Sequence, residues 1–148
     1  MSKPYYANGL RFGCTRCSLC CRFESGYVFL SRADVRRLAT RFGISDWEFV
    51  NTYCRIVDLG PVKRVSLREQ SNMDCIFWRN GECSVYEDRP LQCQMFPFWP
   101  AHIESAEQWQ EAQESCPGVG LGRLHPREEI DAMLAQREKE PLLDADEL

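Results

Sequence analysis

Long hydrophobic runs are missing from this sequence. No stretch approaches the roughly 18 apolar residues of a membrane-crossing helix, and the opening "MSKPYYANGLRFG" has no apolar run of signal-peptide length. Histidine is scarce, with two residues in 148, and no Ser–His–Asp set is legible. No Gly-rich strand–turn–helix segment suggests a phosphate cradle or a methyl-donor domain. Charge of one sign does not dominate either: a net charge of -4 gives no general reason to expect nucleic acid or an acidic membrane as partner. There is no internal repeat, and only the acidic tail "LLDADEL" is compositionally biased. These absences leave a chain of about one domain's length, with the cytoplasm as its expected address.

Cysteine is what the sequence has in excess: nine residues, an odd number that suits a fully paired disulfide scaffold poorly. Disulfides are rare in the cytoplasm, where clustered cysteines usually mean metal or redox chemistry. The stretch "CTRCSLCC" places four sulfurs within eight residues, Cys14, Cys17, Cys20 and Cys21. Soft, charged thiolates suit zinc and iron–sulfur clusters, and a C-x-x-C turn aims two sulfurs at one ion. Two such spacings share Cys17. Cys20 and Cys21 pose a geometric problem, because the side chains of consecutive residues tend to diverge. They could serve two metals, or one could ligate while the other packs or carries a redox role. Cys75, Cys83, Cys93 and Cys116 bring the candidate ligands to eight, enough for two four-sulfur sites or one cluster with thiols to spare. Bound metal would then draw distant segments together and become part of the fold's stability.

Local signals outline the elements around these cysteines. "GYVFLS" reads as a short strand. "SRADVRRLATRFG" carries a capping box at Ser31 and Asp34, helical apolar spacing and a Gly43 stop. "SDWEFVNTYC" repeats the pattern from Ser45, with Cys54 on the helix as a small buried hydrophobe rather than a ligand. "RIVDLG" and "VKRVSLR" read as strands parted by Gly60-Pro61, and Pro90 opens a helical turn through Cys93 that Pro97 stops. "SAEQWQEAQES" and "HPREEIDAMLAQREKE" read as helices, and the tail is expected to fray. Phe96, Phe98 and Trp99 are expected to form a small core beside the metal.

The Asn80-Gly81 pair in "CIFWRNGECSVY" marks a hairpin. A two-residue turn sets Trp78 opposite Cys83 and sends Cys75 to the other face. A three-residue loop sets Phe77 opposite Cys83 and puts Cys75 on its side. One ion held by both cysteines favours the second register, which is the expected one. Eight thiolates around two divalent ions leave a surplus of four negative charges, so donors are needed. Arg16, Arg22 and Arg89 adjoin cysteines, and Arg89 is expected to be the fixed donor. His102 and His125 are the available nitrogen ligands, His125 standing where a helix cap would sit.

Three blocks in order, "CTRCSLCCR", "CIFWRNGECSVYEDRPLQCQMFPF" and "CPGVGLG", resemble the bacterial YkgJ-type cysteine-cluster family, described as a zinc- or iron-chelating CxxCxxCC domain. The resemblance spans Cys14 to Gly122 and implies that all eight cysteines outside Cys54 belong to the family's set, with Arg89-Pro90 and Phe96-Pro97-Phe98 as accompanying motifs. Longer relatives are associated with methylation of flagellin lysines, an activity that is not carried over here. The expected fold is a small single α+β domain organised around a cysteine-rich metal site, with a β-hairpin and peripheral short helices. Its expected parts are a lead-in (1–13), the metal-chelating domain (14–122) and a C-terminal helix with acidic tail (123–148). The expected function is binding of a metal ion, zinc or iron, through clustered thiolates, with a protein as a further partner and no assigned reaction. An iron–sulfur cluster with an electron-transfer or catalytic role is the alternative, and a carrier or sensor of zinc or iron is a third reading.

Overall fold

The computed structural model describes residues 3–13, 27–72 and 74–147. Contacts divide the chain into two compact units, Met1–Cys20 with Met95–Lys139 and Cys21–Gln94 with Glu140–Leu148. Helix and strand are mixed, and the named strands pair in antiparallel twos. No described helix is long and apolar enough to cross a membrane.

The first unit begins with β1 (Leu10–Phe12), which pairs with the distant β6 (Arg123–His125), Leu10 lying opposite His125. The other edge of β1 is taken by the loop after Cys116. There the Gly120 amide donates to the Arg11 carbonyl at 2.8 Å and the Gly13 amide donates to the Gly118 carbonyl at 3.1 Å. Helices α4 (Pro100–Ile103), α5 (Ala106–Ser115) and α6 (Arg127–Lys139) complete the unit. Leu10, Phe98, Ile103, Trp109, Val119 and Ile130 form its core. Phe98 is therefore core, as expected of the aromatic motif, and it stacks on Trp109.

In the second unit, α1 (Arg32–Phe42) starts at the predicted capping box: the Asp34 amide donates to Ser31 Oγ and the Ser31 amide to Asp34 Oδ2. Gly43 ends the helix in a left-handed conformation, φ 66°, which glycine adopts without steric cost. Ser45 caps α2 (Asp46–Tyr53), and the chain passes directly into β2 (Cys54–Asp58), paired with β3 (Lys63–Leu67). Cys54 is thus the first residue of a strand and not part of the helix. Residues 28–30 run along the free edge of β3, through Leu30 N–H to the Val65 carbonyl and Leu67 N–H to the Val28 carbonyl. The predicted strand there appears as this edge pairing.

Two expectations are corrected in this unit. The helices α1 and α2 are not peripheral, because Val35, Leu38 and Phe49 are almost wholly buried and form its core with Leu30 and Val65. The acidic tail does not fray between 142 and 147. Leu143 is 3% exposed, its amide donates to the Leu30 carbonyl, and Asp144 bridges to Arg64. An apolar side chain among the acids gives the segment something to bury, which outweighs its charge.

Asp34 does more than cap its helix. Its side chain is fully buried, and Oδ1 accepts from the Leu91 amide at 3.0 Å and from Arg37 Nη2 at 2.9 Å. Arg37 also donates to the Arg89 carbonyl at 2.8 Å. This carboxylate therefore fixes the start of α3 (Leu91–Met95) against α1. Asp34→Ala would strand the buried Ser31 and Leu91 amides and remove one of Arg37's acceptors, and a loss of about 3–5 kcal/mol is expected from urea denaturation of the full chain. Leu143→Ala is expected to cost about 2–4 kcal/mol by the same measurement; a change below 0.5 kcal/mol would contradict a docked tail.

Candidate metal centre

Four of the eight candidate ligands fall among the described residues. Cys75 opens a tight turn in which the Trp78 amide donates to the Cys75 carbonyl at 2.9 Å, and Gln70 Nε2 donates to the same carbonyl at 3.0 Å. The hairpin that follows has β4 (Trp78–Arg79) paired with β5 (Glu82–Cys83) through Asn80 and Gly81, at φ 53° and 83°. Two left-handed residues make this the two-residue turn, so Trp78 faces Cys83 and Arg79 faces Glu82.

The expected three-residue register is therefore wrong. The reason it was favoured also lapses: strand alternation would separate Cys75 from Cys83, but the strand begins only at Trp78. Cys75 sits before a turn, where parity does not apply. Both cysteines are half-buried and pack against the core of the second unit.

Cys93 lies in α3, two residues after Leu91, whose amide Asp34 holds. Its neighbour Gln92 reaches the chain that leaves the cysteine-rich segment. Gln92 Nε2 donates to the Tyr27 carbonyl at 2.8 Å, and the Phe29 amide donates to Gln92 Oε1 at 3.1 Å. One side-chain amide thus pairs with the backbone as a neighbouring strand would, across 65 and 63 residues of sequence.

Cys116 is buried in the core of the first unit, just past the end of α5. The loop that follows it carries Gly118, bonded to Gly13, the residue before Cys14. The approach is too close for a side chain. A Cβ at Gly118 would overlap the Gly13 carbonyl oxygen, and one at Gly122 would lie 2.8 Å from the Gly13 Cα. Glycine is required at both positions.

Arg89 is fixed by Tyr86. Among the described residues, Nε donates to the Tyr86 carbonyl at 3.0 Å, and the group stacks 4.0 Å over the Tyr86 ring. The Arg89 carbonyl accepts from Arg37 and from Gln94 Nε2. His102 stacks on Trp99 and meets the edge of Phe96, and burial holds its pKa down. His125 ends β6 instead of capping α6. Its Nε2 lies 3.1 Å from the Phe12 carbonyl, and its Nδ1 is 3.2 Å from Glu129. Cys54 is buried, and desolvation pushes its thiol up to about 12, which disfavours the thiolate at neutral pH.

Cys14, Cys17, Cys20 and Cys21, with Arg16 and Arg22, lie outside the described residues. Among the described residues, no three His, Cys, Asp or Glu side chains come together as a metal-binding group. A four-ligand centre therefore needs sulfurs from the 14–21 cluster. The donor chemistry fits zinc or iron: Cys75, Cys83 and Cys116 are half-buried or buried thiols in apolar surroundings, and among the described residues no carboxylate cage favours a hard cation. Sequence reasoning missed Gln92, Gly118 and Asp34 as residues that fix the cysteine-bearing segments. Only the alternate glycines of "GVGLG" hinted at close backbone approach.

A family model described as "Putative zinc- or iron-chelating domain", CxxCxxCC, matches residues 13–117. The chain is also similar to an uncharacterized protein, MJ0939, of Methanocaldococcus jannaschii, with 27% identity over 96 residues that cover 61% of this chain and 30% of the relative's length. No solved structure matches the chain. On the extent of the family match, this chain belongs to the CxxCxxCC family, the domain family described by zinc or iron chelation.

Proposed function

We propose that the chain is a metal-binding protein that holds zinc or iron through the thiolates of Cys14, Cys17, Cys20, Cys21, Cys75, Cys83, Cys93 and Cys116. One observation carries the reading. Both ends of the cysteine-rich segment are anchored beside another family cysteine: Gly13 to the loop of Cys116, and Tyr27 with Phe29 to the neighbour of Cys93. Local anchoring of this kind shortens the search that each sulfur must make before a site can close, and so lowers the entropy lost on metal binding. A cytoplasmic setting, where thiols stay reduced, suits this role.

The bound ion would supply cross-links among segments far apart in sequence, and so part of the folding free energy. The chain's own residues do the rest. Apolar packing around Cys75, Cys83 and Cys116 excludes water, and backbone turns orient the sulfurs. Thiol protons leave as metal binds, so affinity should fall as the pH is lowered. A protein partner that reads the metal-organised surface accords with the absence of any legible catalytic set.

Anaerobic purification followed by analysis for zinc, iron and acid-labile sulfide tests this directly. Tightly bound zinc or iron is expected, and sulfide together with visible absorption would select the iron–sulfur alternative. A correctly folded preparation with neither metal would end the proposal. Cys17→Ser and Cys93→Ser should lower metal content, whereas Cys54→Ser should leave it unchanged; equal content in all three would contradict the ligand assignment. Gln92→Ala should speed metal loss to a chelator about tenfold, the effect of roughly 1.4 kcal/mol, a reasonable worth for one exposed and one part-buried hydrogen bond.

A further inference from the structure

His125 ends β6 opposite Leu10 of β1, yet its ring reaches two residues further along that strand, to Phe12. Phe12 is the last residue of β1, and Gly13 alone separates it from the cysteine run that opens with Cys14. The His125 side chain is 14% exposed, and its ring packs on Phe98 at a centroid distance of 4.9 Å and on Phe12 at 6.2 Å. With aromatic neighbours against the ring, its two nitrogens decide what the residue does.

Each nitrogen meets partners of fixed polarity. The Phe12 carbonyl, 3.1 Å from Nε2, can only accept, so Nε2 carries a proton. Two partners of opposite kind converge on Nδ1. Arg123 Nη2, at 3.1 Å, can only donate, and the ionised Glu129 Oε1, at 3.2 Å, can only accept. Arg123 also donates to both Glu129 oxygens, at 2.7 and 3.1 Å, and these bonds hold the Glu129 carboxyl below its usual range. A neutral ring therefore accepts from Arg123, and a protonated ring donates to Glu129, whose charge offsets the added proton. In either state the Nε2 proton stays on the Phe12 carbonyl.

Resting on the thiolate reading above, we propose that His125 is a positioning residue for the metal site, an imidazole clip that fixes the strand leading into the cysteine run and holds in both protonation states of the ring. Its Nε2 gives a proton to the backbone instead of a lone pair to an ion. A clip insensitive to its own titration leaves thiol protonation as the step through which acid releases the metal.

Two measurements on the zinc-loaded full chain test this. The first is nitrogen-15 NMR of histidine-labelled protein, with two rings to assign. His125 should keep its Nε2 proton from about pH 5 to 8, the range in which imidazoles change charge, and gain an Nδ1 proton only in acid. A ring protonated on Nδ1 alone would overturn the clip. The second is metal transfer to a chelator. His125→Phe keeps the aromatic packing and removes the donor. It should speed metal loss about fivefold, the worth of one ordinary hydrogen bond, and by the same factor at both ends of that range. His125→Gln, whose amide can donate to Phe12 and accept from Arg123, should stay near wild type.

Metal loss at the wild-type rate in His125→Phe, equal acceleration in His125→Gln, or a factor that vanishes at one end of the range would each overturn the proposal. So would an equal acceleration by Leu134→Ala, which trims the same core from α6, at a matched loss of stability in urea. Lower metal content in His125→Gln would mark the ring as a ligand and overturn it too. If His125→Phe fails to fold, the NMR tautomer of the unaltered chain still decides. A wild-type chain with no metal to lose would instead defeat the thiolate reading.

Discussion

A single buried carboxylate governs the second unit. Asp34 closes the capping box of α1, holds the first amide of α3 and neutralises Arg37, which in turn holds the Arg89 carbonyl. Charge-assisted hydrogen bonds in a dry site are the stronger kind, and leaving them half-made is the costly alternative. Because of Asp34, α3 begins where it does, and Gln92 and Cys93 are presented from a fixed helix start. The Arg-Pro motif acts through this route: Pro90 is fully buried, and the Arg89 carbonyl takes two side-chain donors while its guanidinium rests on Tyr86.

The first unit solves a similar problem with backbone alone. Glycines at 118 and 122 let the loop after Cys116 lie against Gly13 without side chains between them. One anchor thus uses a side-chain amide and the other uses close backbone approach, yet each fixes one end of the same cysteine-rich segment. Such supports favour metal binding because ordering done in advance need not be done when the ion binds and the thiols lose their protons. Cys54 is the opposite case, a sulfur whose charged form is disfavoured by desolvation.

Much of the local structure was legible because its causes are local. Ser31 with Asp34, Ser45 with Glu48 and the Gly43 stop are short-range devices, and all appear where the spacing put them. Asn80-Gly81 was readable as a turn, but its length was not, since both hairpin types accept that dipeptide. The parity argument for Cys75 failed because a turn from Cys75 to Trp78 interrupts the strand, and nothing in "CIFW" announces it. The docking of Leu143 and the reach of Gln92 depend on partners that are remote in sequence, so composition alone misjudged the first and gave no sign of the second.

The central claim is that sulfur, and only sulfur, surrounds the bound ion. X-ray absorption at the zinc or iron edge of the anaerobically purified full chain reads this directly. The account predicts a first shell of sulfur at about 2.3 Å. A shell dominated by nitrogen or oxygen at about 2.0–2.1 Å would contradict it.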